Sequence, residues 1–251
     1  TNLAIGTPGQ VTKIVNDLPS FQNFGVIDKV YFVGLHGSDT DGFGITENAP
    51  LRTVRFACEY ILQDPGTRSP ATVYIKTGVF EEILPISVPA DVALVGDELR
   101  STVIAPAAGF EQANMFYVRN GTGIRNMTLR GLSGTLGAQN QYLTRRPSAG
   151  AFVSLDPGAG PTDVSVQIIN KSPYIQNVTT FGTGCVGMKV DGSLHEDGNR
   201  SIVANDFTQV LDDGIGVWIT ESGLSELVSV FTYYNHIGYL AENGGKMRAT
   251  N

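Results

Sequence analysis

Short apolar runs, broken by turn residues, fill most of this chain. They lie at 30–33, 73–75, 92–95, 115–118, 124–129, 151–155, 164–169, 175–180, 186–190, 201–207, 216–219, 227–231 and 239–240. Each is strand-length and rich in Val, Ile, Phe or Tyr, and Gly, Asn, Asp or Pro separates it from the next. One segment has another period. Within 47–62, Leu51, Val54, Cys58 and Ile61/Leu62 recur at helical spacing. Asn48 reads as the N-cap, Pro50 falls in the first turn, and Asp64-Pro65-Gly66 ends the helix.

The runs are also self-similar. Ile124-Arg-Asn-Met-Thr-Leu matches Ile175-Gln-Asn-Val-Thr-Thr, and segments starting at Gly187, Gly216 and Gly238 match one another. Their spacing is irregular, as in a solenoid whose rungs carry loop insertions. The predicted fold is therefore all-β: a right-handed single-stranded parallel β-helix with an N-terminal capping α-helix. Rungs would stack ~4.8 Å apart, inward apolar residues would form one core, and the helix would cover the first open edge. The chain divides into an N-terminal arm, 1–30, and the β-helix, 31–251. In the arm, Val11, Ile14, Val15 and Leu18 suggest a short helical turn, and Phe21 and Phe24 are apolar anchors. The last residues, Met247-Arg-Ala-Thr-Asn251, read as the middle of a repeat. The expectation is that more chain, or another subunit, covers that end.

Composition narrows the function. The 251 residues carry a formal net charge of −7 without a Lys/Arg cluster, so the footprint of a nucleic-acid binder is missing. The run of apolar residues needed to span a bilayer is absent as well. Cys58 and Cys185 are too few for a disulfide framework and read as buried free thiols. No cofactor is expected: the sequence holds neither a Gly-X-Ser-X-Gly elbow nor a Walker loop. His36, His195 and His236 lack metal-ligand spacing. Asp39 and Asp41 form a weak cation candidate without the later ligands of a calcium loop. Sequons occur at Asn120, Asn126, Asn170, Asn177 and Asn199; Asn126 and Asn177 hold equivalent repeat positions, where stacked turn asparagines are the simpler reading.

Two resemblances follow from particular residues. Gly37-Ser-Asp-Thr-Asp-Gly42, Leu51-Arg-Thr-Val-Arg-Phe-Ala-Cys58, Val73-Tyr-Ile-Lys-Thr-Gly-Val-Phe-Glu-Glu82 and Val92-Ala-Leu-Val-Gly-Asp97 with Thr102-Val-Ile104 cover about a quarter of the chain. They resemble the opening of pectin methylesterases and related β-helical (pectin lyase-like) carbohydrate enzymes. That family's catalytic motifs, with two Asp, Gln side chains and an Arg, do not occur here. The resemblance therefore implies the scaffold without the activity. Phe231-Thr-Tyr-Tyr-Asn-His-Ile-Gly-Tyr-Leu-Ala-Glu-Asn-Gly-Gly-Lys-Met-Arg-Ala-Thr-Asn251 resembles repeats in β-helical virion proteins of large tailed phages, particularly those infecting marine cyanobacteria.

This second resemblance implies a non-enzymatic structural component of a virion tail, baseplate or fibre, external when assembled. It would act as a rigid platform touching other virion proteins and copies of itself, with a trimer suggested by phage spikes. It implies neither nucleic-acid binding nor membrane insertion. One alternative is a glycan depolymerase. Asp206, Asp212, Asp213 and Glu221 are the carboxylates to weigh for it, since inverting glycosidases place two carboxyls ~6.5–9.5 Å apart. Turn chemistry explains Asp212-Asp213-Gly214 without function and is the stronger reading. Another alternative is a non-catalytic adhesin for host surface glycan, with Tyr233, Tyr234 and Tyr239 stacking on sugars.

Overall fold

The structure, a computed structural model, describes residues 10–15, 18–23, 29–138, 145–158, 171–194 and 201–250. The run at 164–169, together with His195, Asn170 and Asn199, lies outside them. Two short strands come first, β1 (Gln10–Val15) and β2 (Leu18–Asn23), paired antiparallel as a two-stranded sheet of their own. This corrects the helical turn expected there. β-Branched Val11, Thr12, Ile14 and Val15 favour extended backbone over helix.

The rest is all-β with parallel sheets. After β3 (Lys29–Val33) and the helical segment come β4 (Ala71–Ile75), β5 (Gly78–Glu82) and β6 (Ile86–Ser87), then β7 (Val92–Gly96), β8 (Thr102–Pro106) and β9 (Phe116–Val118). From there each circuit needs only two strands: β10 (Gly123–Ser133) with β11 (Ala151–Leu155), β12 (Tyr174–Thr183) with β13 (Val186–Asp191), β14 (Ser201–Asp212) with β15 (Ile215–Thr220), and β16 (Leu224–Tyr233) with β17 (Ile237–Ala241); β18 (Lys246–Thr250) follows. The chain alternates between a ten-stranded sheet, in the order β18-β16-β14-β12-β10-β7-β4-β3 with β8 also paired to β10 and β5 to β8, and a six-stranded sheet, β17-β15-β13-β11-β9-β6. β10 shows how a long strand arises. Its first half pairs with β7 and its second half with β8, so it merges two legs that are separate strands one circuit earlier.

Three inward columns run through these circuits. On the first leg Tyr31, Val73, Leu94, Ile124, Ile175, Ala204 and Leu227 stack in register, all buried. On the second leg Phe80, Ile104 and Leu129 are followed by Thr180, Gln209 and Thr232. On the third, Ile86, Phe116, Val153, Met188, Val217 and Tyr239 align. The self-similar segments fall in register: Asn126 aligns with Asn177, and Gly187 with Gly216 and Gly238.

The corner between first and second legs is a ladder of left-handed residues. Asn126, Asn177, Asp206 and Ser229 have φ of 56°, 51°, 50° and 50° and occupy successive positions in one column. Asn tolerates this conformation because its short side chain bonds locally; here Asn177 Nδ2 donates to Asn126 Oδ1 at 3.0 Å.

The helix is α1 (Val54–Gln63), followed by a single turn, α2 (Pro65–Arg68). It starts later than the sequence suggests, with Thr53 rather than Asn48 as N-cap; Thr53 Oγ1 accepts from Phe56 N at 3.1 Å. Leu51 cannot be helical because its N–H is committed to Phe32 O and it bridges Val33 in parallel. Val54, Ala57, Cys58 and Ile61 form the buried stripe and pack on β3, β4, β5 and β6. α1 therefore lies over the end strands of both sheets.

Its N-terminus is held from within the core. Glu82, only 1% exposed, accepts from the backbone N–H of Val54 at 2.7 Å and of Arg55 at 3.1 Å. A carboxylate suits the positive end of a helix, yet burial pushes its pKa from 4.5 up to about 7. Folding then favours the protonated form. Glu82's contribution is full below about pH 4.5 and is lost as pH rises through about 7.

Two expectations follow. Over that window the urea midpoint of the wild type should fall relative to that of Glu82→Gln; a constant difference would mean that the carboxyl titrates as if in water. At the corner ladder, Asp206→Asn should leave stability within ~0.5 kcal/mol, whereas Asp206→Val should cost about 1–2 kcal/mol for forcing a β-branched residue left-handed. Equal midpoints for the two would remove the ladder's conformational role.

Candidate functional site

The inward columns lead to one end of the molecule. At the β18 end the first-leg column passes from buried Leu227 to exposed Ala249, the second closes on Thr232, and the third on Tyr239, 40% exposed. Leu227, Val230, Phe231, Thr232, Tyr239, Ala249 and Thr250 line a cavity of about 430 Å³ there. It is the mouth of the core. Tyr239 crosses it: its hydroxyl donates to Val230 O and pairs with the Thr232 hydroxyl, and burial raises its pKa. The outer edges of β17 and β18 have no strand partner among the described residues. An apolar mouth flanked by two free edges is the surface on which a further strand would pair.

A second surface runs along the side. On the outward face of the second leg, Arg130, Phe181, Val210 and Tyr233 align on successive strands. Phe181 and Tyr233 are exposed, as are Phe231 and Tyr234 nearby. Arg130, Phe181, Val210, Asp212 and Tyr234 belong to the lining of a shallow groove of about 510 Å³. This stripe places Tyr233 and Tyr234 on the second leg, while Tyr239 projects at the mouth from the third, so the three tyrosines share no single platform.

The four candidate carboxylates are spread around the circuit. Asp206 sits in the corner ladder, Asp212 ends β14, Asp213 occupies the next corner with φ 53°, and Glu221 a third with φ 50°. All are exposed. Asp212 lies six residue steps along the strand from Asp206, about 20 Å, and Glu221 lies eight steps from Asp213 across β15, about 26 Å, at ~3.3 Å per residue. Both exceed the ~6.5–9.5 Å of an inverting carboxyl pair. Asp212 and Asp213 are adjacent within one turn, and Glu221 accepts from Asn243 Nδ2 at 2.7 Å.

The weak cation candidate is committed elsewhere. Asp39 accepts from the N–H groups of Arg52 (2.8 Å) and Thr53 (3.0 Å) and from the Thr53 hydroxyl (2.8 Å), fastening its loop to the start of α1. Asp41 is exposed. His36 and His236 are exposed as well. Among the described residues there is no group of three or more His, Cys, Asp or Glu able to hold a metal. Cys58 and Cys185 are free, buried thiols; burial raises both pKa values, that of Cys185 to about 12. Trp218 is locked outside the third leg. Its indole N–H donates to Glu242 at 2.9 Å, Arg146 and Lys189 stack on the ring at 4.7 and 4.6 Å, and Arg146 pairs with Glu242.

Sequence reasoning missed the polar file inside the core that leads to the mouth. Phe207, Gln209 and Leu211 alternate as inward positions, so a glutamine stands where the pattern asks for an apolar residue. That break in alternation was the available signal.

No family model matches the chain, and no curated protein does. Among solved structures, Geobacillus virus E2 ORF18 is similar with a TM-score of 0.32 and 13% identity, over 96% of this chain and 47% of that one. The chain thus spans about half the length of that protein, and a likeness at this level fixes neither fold nor function.

Proposed function

We propose that this chain is a phage virion structural protein, a tail, baseplate or fibre component, built as a right-handed single-stranded parallel β-helix capped by α1. The stripe of Phe181, Val210 and Tyr233, in register on successive strands, carries the reading. The edges of β17 and β18 can take up a further strand, whether of this chain or of a neighbour. The resemblance of residues 231–251 to tailed-phage repeats supplies the virion context. Successive in-register ladders suit a stiff rod, because each circuit's backbone groups pair with the circuits on either side. The apolar side stripe suits contact with copies of the same chain, since a stripe parallel to the stacking direction can meet its counterpart lengthwise.

A glycan depolymerase is the second reading, favoured only by the exposed Asp212-Asp213 turn. Immunoelectron microscopy of intact phage particles separates the two. Antibodies to this chain should label the tail or baseplate, and the purified protein should release no reducing sugar from host-surface polysaccharide. Absence from purified particles overturns the structural reading; sugar release abolished by Asp212→Asn or Asp213→Asn replaces it with the enzymatic one. For docking, Phe231→Asp at the rim of the mouth should leave the far-UV spectrum unchanged and lower self-association in sedimentation velocity. An unchanged sedimentation profile would place the contact elsewhere.

A further inference from the structure

The core changes character partway along. In the second-leg column Phe80, Ile104 and Leu129 give way to Thr180, Gln209 and Thr232. In the neighbouring third-leg column the large Phe152 is succeeded by Gly187, Gly216 and Gly238. One circuit contributes Leu and Phe to this part of the interior; the next contributes Thr and Gly. The backbone cross-section is held by the ladders, so the lost side-chain volume opens room.

Polar side chains lean into that room. A Cβ on Gly187 would lie 1.8 Å from Gln209 Oε1, and one on Gly216 would lie 2.5 Å from Thr232 Cγ2 and 2.9 Å from Asn235 Nδ2. Thr180 and Gln209 are fully buried. Thr180 Oγ1, both polar atoms of the Gln209 amide and both of the Asn235 amide are shut off from bulk solvent and have no hydrogen-bond partner among the described residues. Left unpaired, each such group costs ~1–3 kcal/mol, more than a marginally stable fold tolerates several times over.

We infer that this part of the core is a built water site, in which ordered water is held by Thr180 Oγ1 and the amides of Gln209 and Asn235. The chemistry fits water rather than an ion, because the binding groups are neutral and include both donors and acceptors. A buried water needs two to four polar partners, which these side chains supply. The glycines are what let the Gln209 and Asn235 amides reach this part of the interior. Toward the mouth the file ends at Thr232, whose hydroxyl pairs with Tyr239. The core is thus dry beneath α1 and hydrated toward β17 and β18. The inference is independent of the virion reading.

A high-resolution crystal structure of the protein, with urea unfolding of Gln209→Met and Thr180→Val, tests it. Expected is density for water within ~3.2 Å of Gln209 and Thr180. Gln209→Met should then lower the urea midpoint and raise the unfolded fraction roughly tenfold, about the loss of one well-made buried hydrogen bond; Thr180→Val should move it the same way by less. If the site is dry, the two near-isosteric apolar replacements remove an uncompensated polar group and raise the midpoint. Absence of density, or a raised midpoint, overturns the proposal. Should Gln209→Met fail to fold, the density and Thr180→Val still decide.

Discussion

Everything in this molecule depends on the parallel ladder that fixes each circuit on the one before. Parallel pairing evenly spaces the hydrogen bonds and leaves no choice of which residue sits above which. Tyr31, Val73, Leu94, Ile124, Ile175, Ala204 and Leu227 form one inward column only because every pairing keeps the same phase. A slip of one residue would turn that column to solvent. The corners enforce the phase. Asn126, Asn177, Asp206 and Ser229 all turn left-handed at the same level, so the bend recurs at one place in each circuit. The merging of β7 and β8 into the single strand β10 shows that the legs persist even where strand boundaries do not.

Fixed columns have a consequence for composition. A polar residue that lands on an inward position cannot rotate out; it must find partners inside or attract them. The first-leg column stays apolar from Val73 to Leu227 and the third-leg column from Ile86 to Val217. The second-leg column changes at Thr180, and the adjacent Phe-to-Gly change at Gly187 accompanies it. The two ends of the body therefore differ chemically. One is sealed by the apolar stripe of α1 and the Glu82 carboxyl beneath its first turn. The other presents Leu227 and Val230 beside Thr232 and Tyr239. Whatever packs there, further chain or a neighbour, meets an apolar half and a hydroxyl-bearing half at once.

Much of this was legible in the sequence because the signals were local. Val-, Ile- and Phe-rich runs between turn residues gave the strands, and the paired Ile-X-Asn segments gave the register of Asn126 on Asn177. The helix was visible by its period, but its start was not: Asn48 and Pro50 look like helix chemistry, while the backbone of Leu51 is claimed by Phe32, a partner that only tertiary contact reveals. The β1–β2 hairpin was misread because apolar spacing over so few residues fits either period, and β-branching decided it. Asp206, Asp212, Asp213 and Glu221, close in sequence, are spread over different corners for a related reason. Closeness along a chain that turns at three corners per circuit does not give closeness in space.

That geometry bears on how such a scaffold relates to catalysis. Two carboxyls meet on a stack of this kind when they occupy the same outward column on adjacent strands, one ladder spacing of ~4.8 Å apart, or neighbouring columns of one face. Asp206 has Asn177 and Ser229 as its column neighbours, neither of them acidic, and its conformation is set by the corner. Asp212 has Thr183 in its column and Arg130 beside it in the side groove. One outward column instead carries Phe181, Val210 and Tyr233 in sequence. Residues in register along the stack thus make a continuous stripe on its side, and among the described residues neither Asp206 nor Asp212 has a second carboxylate paired to it across the ladder.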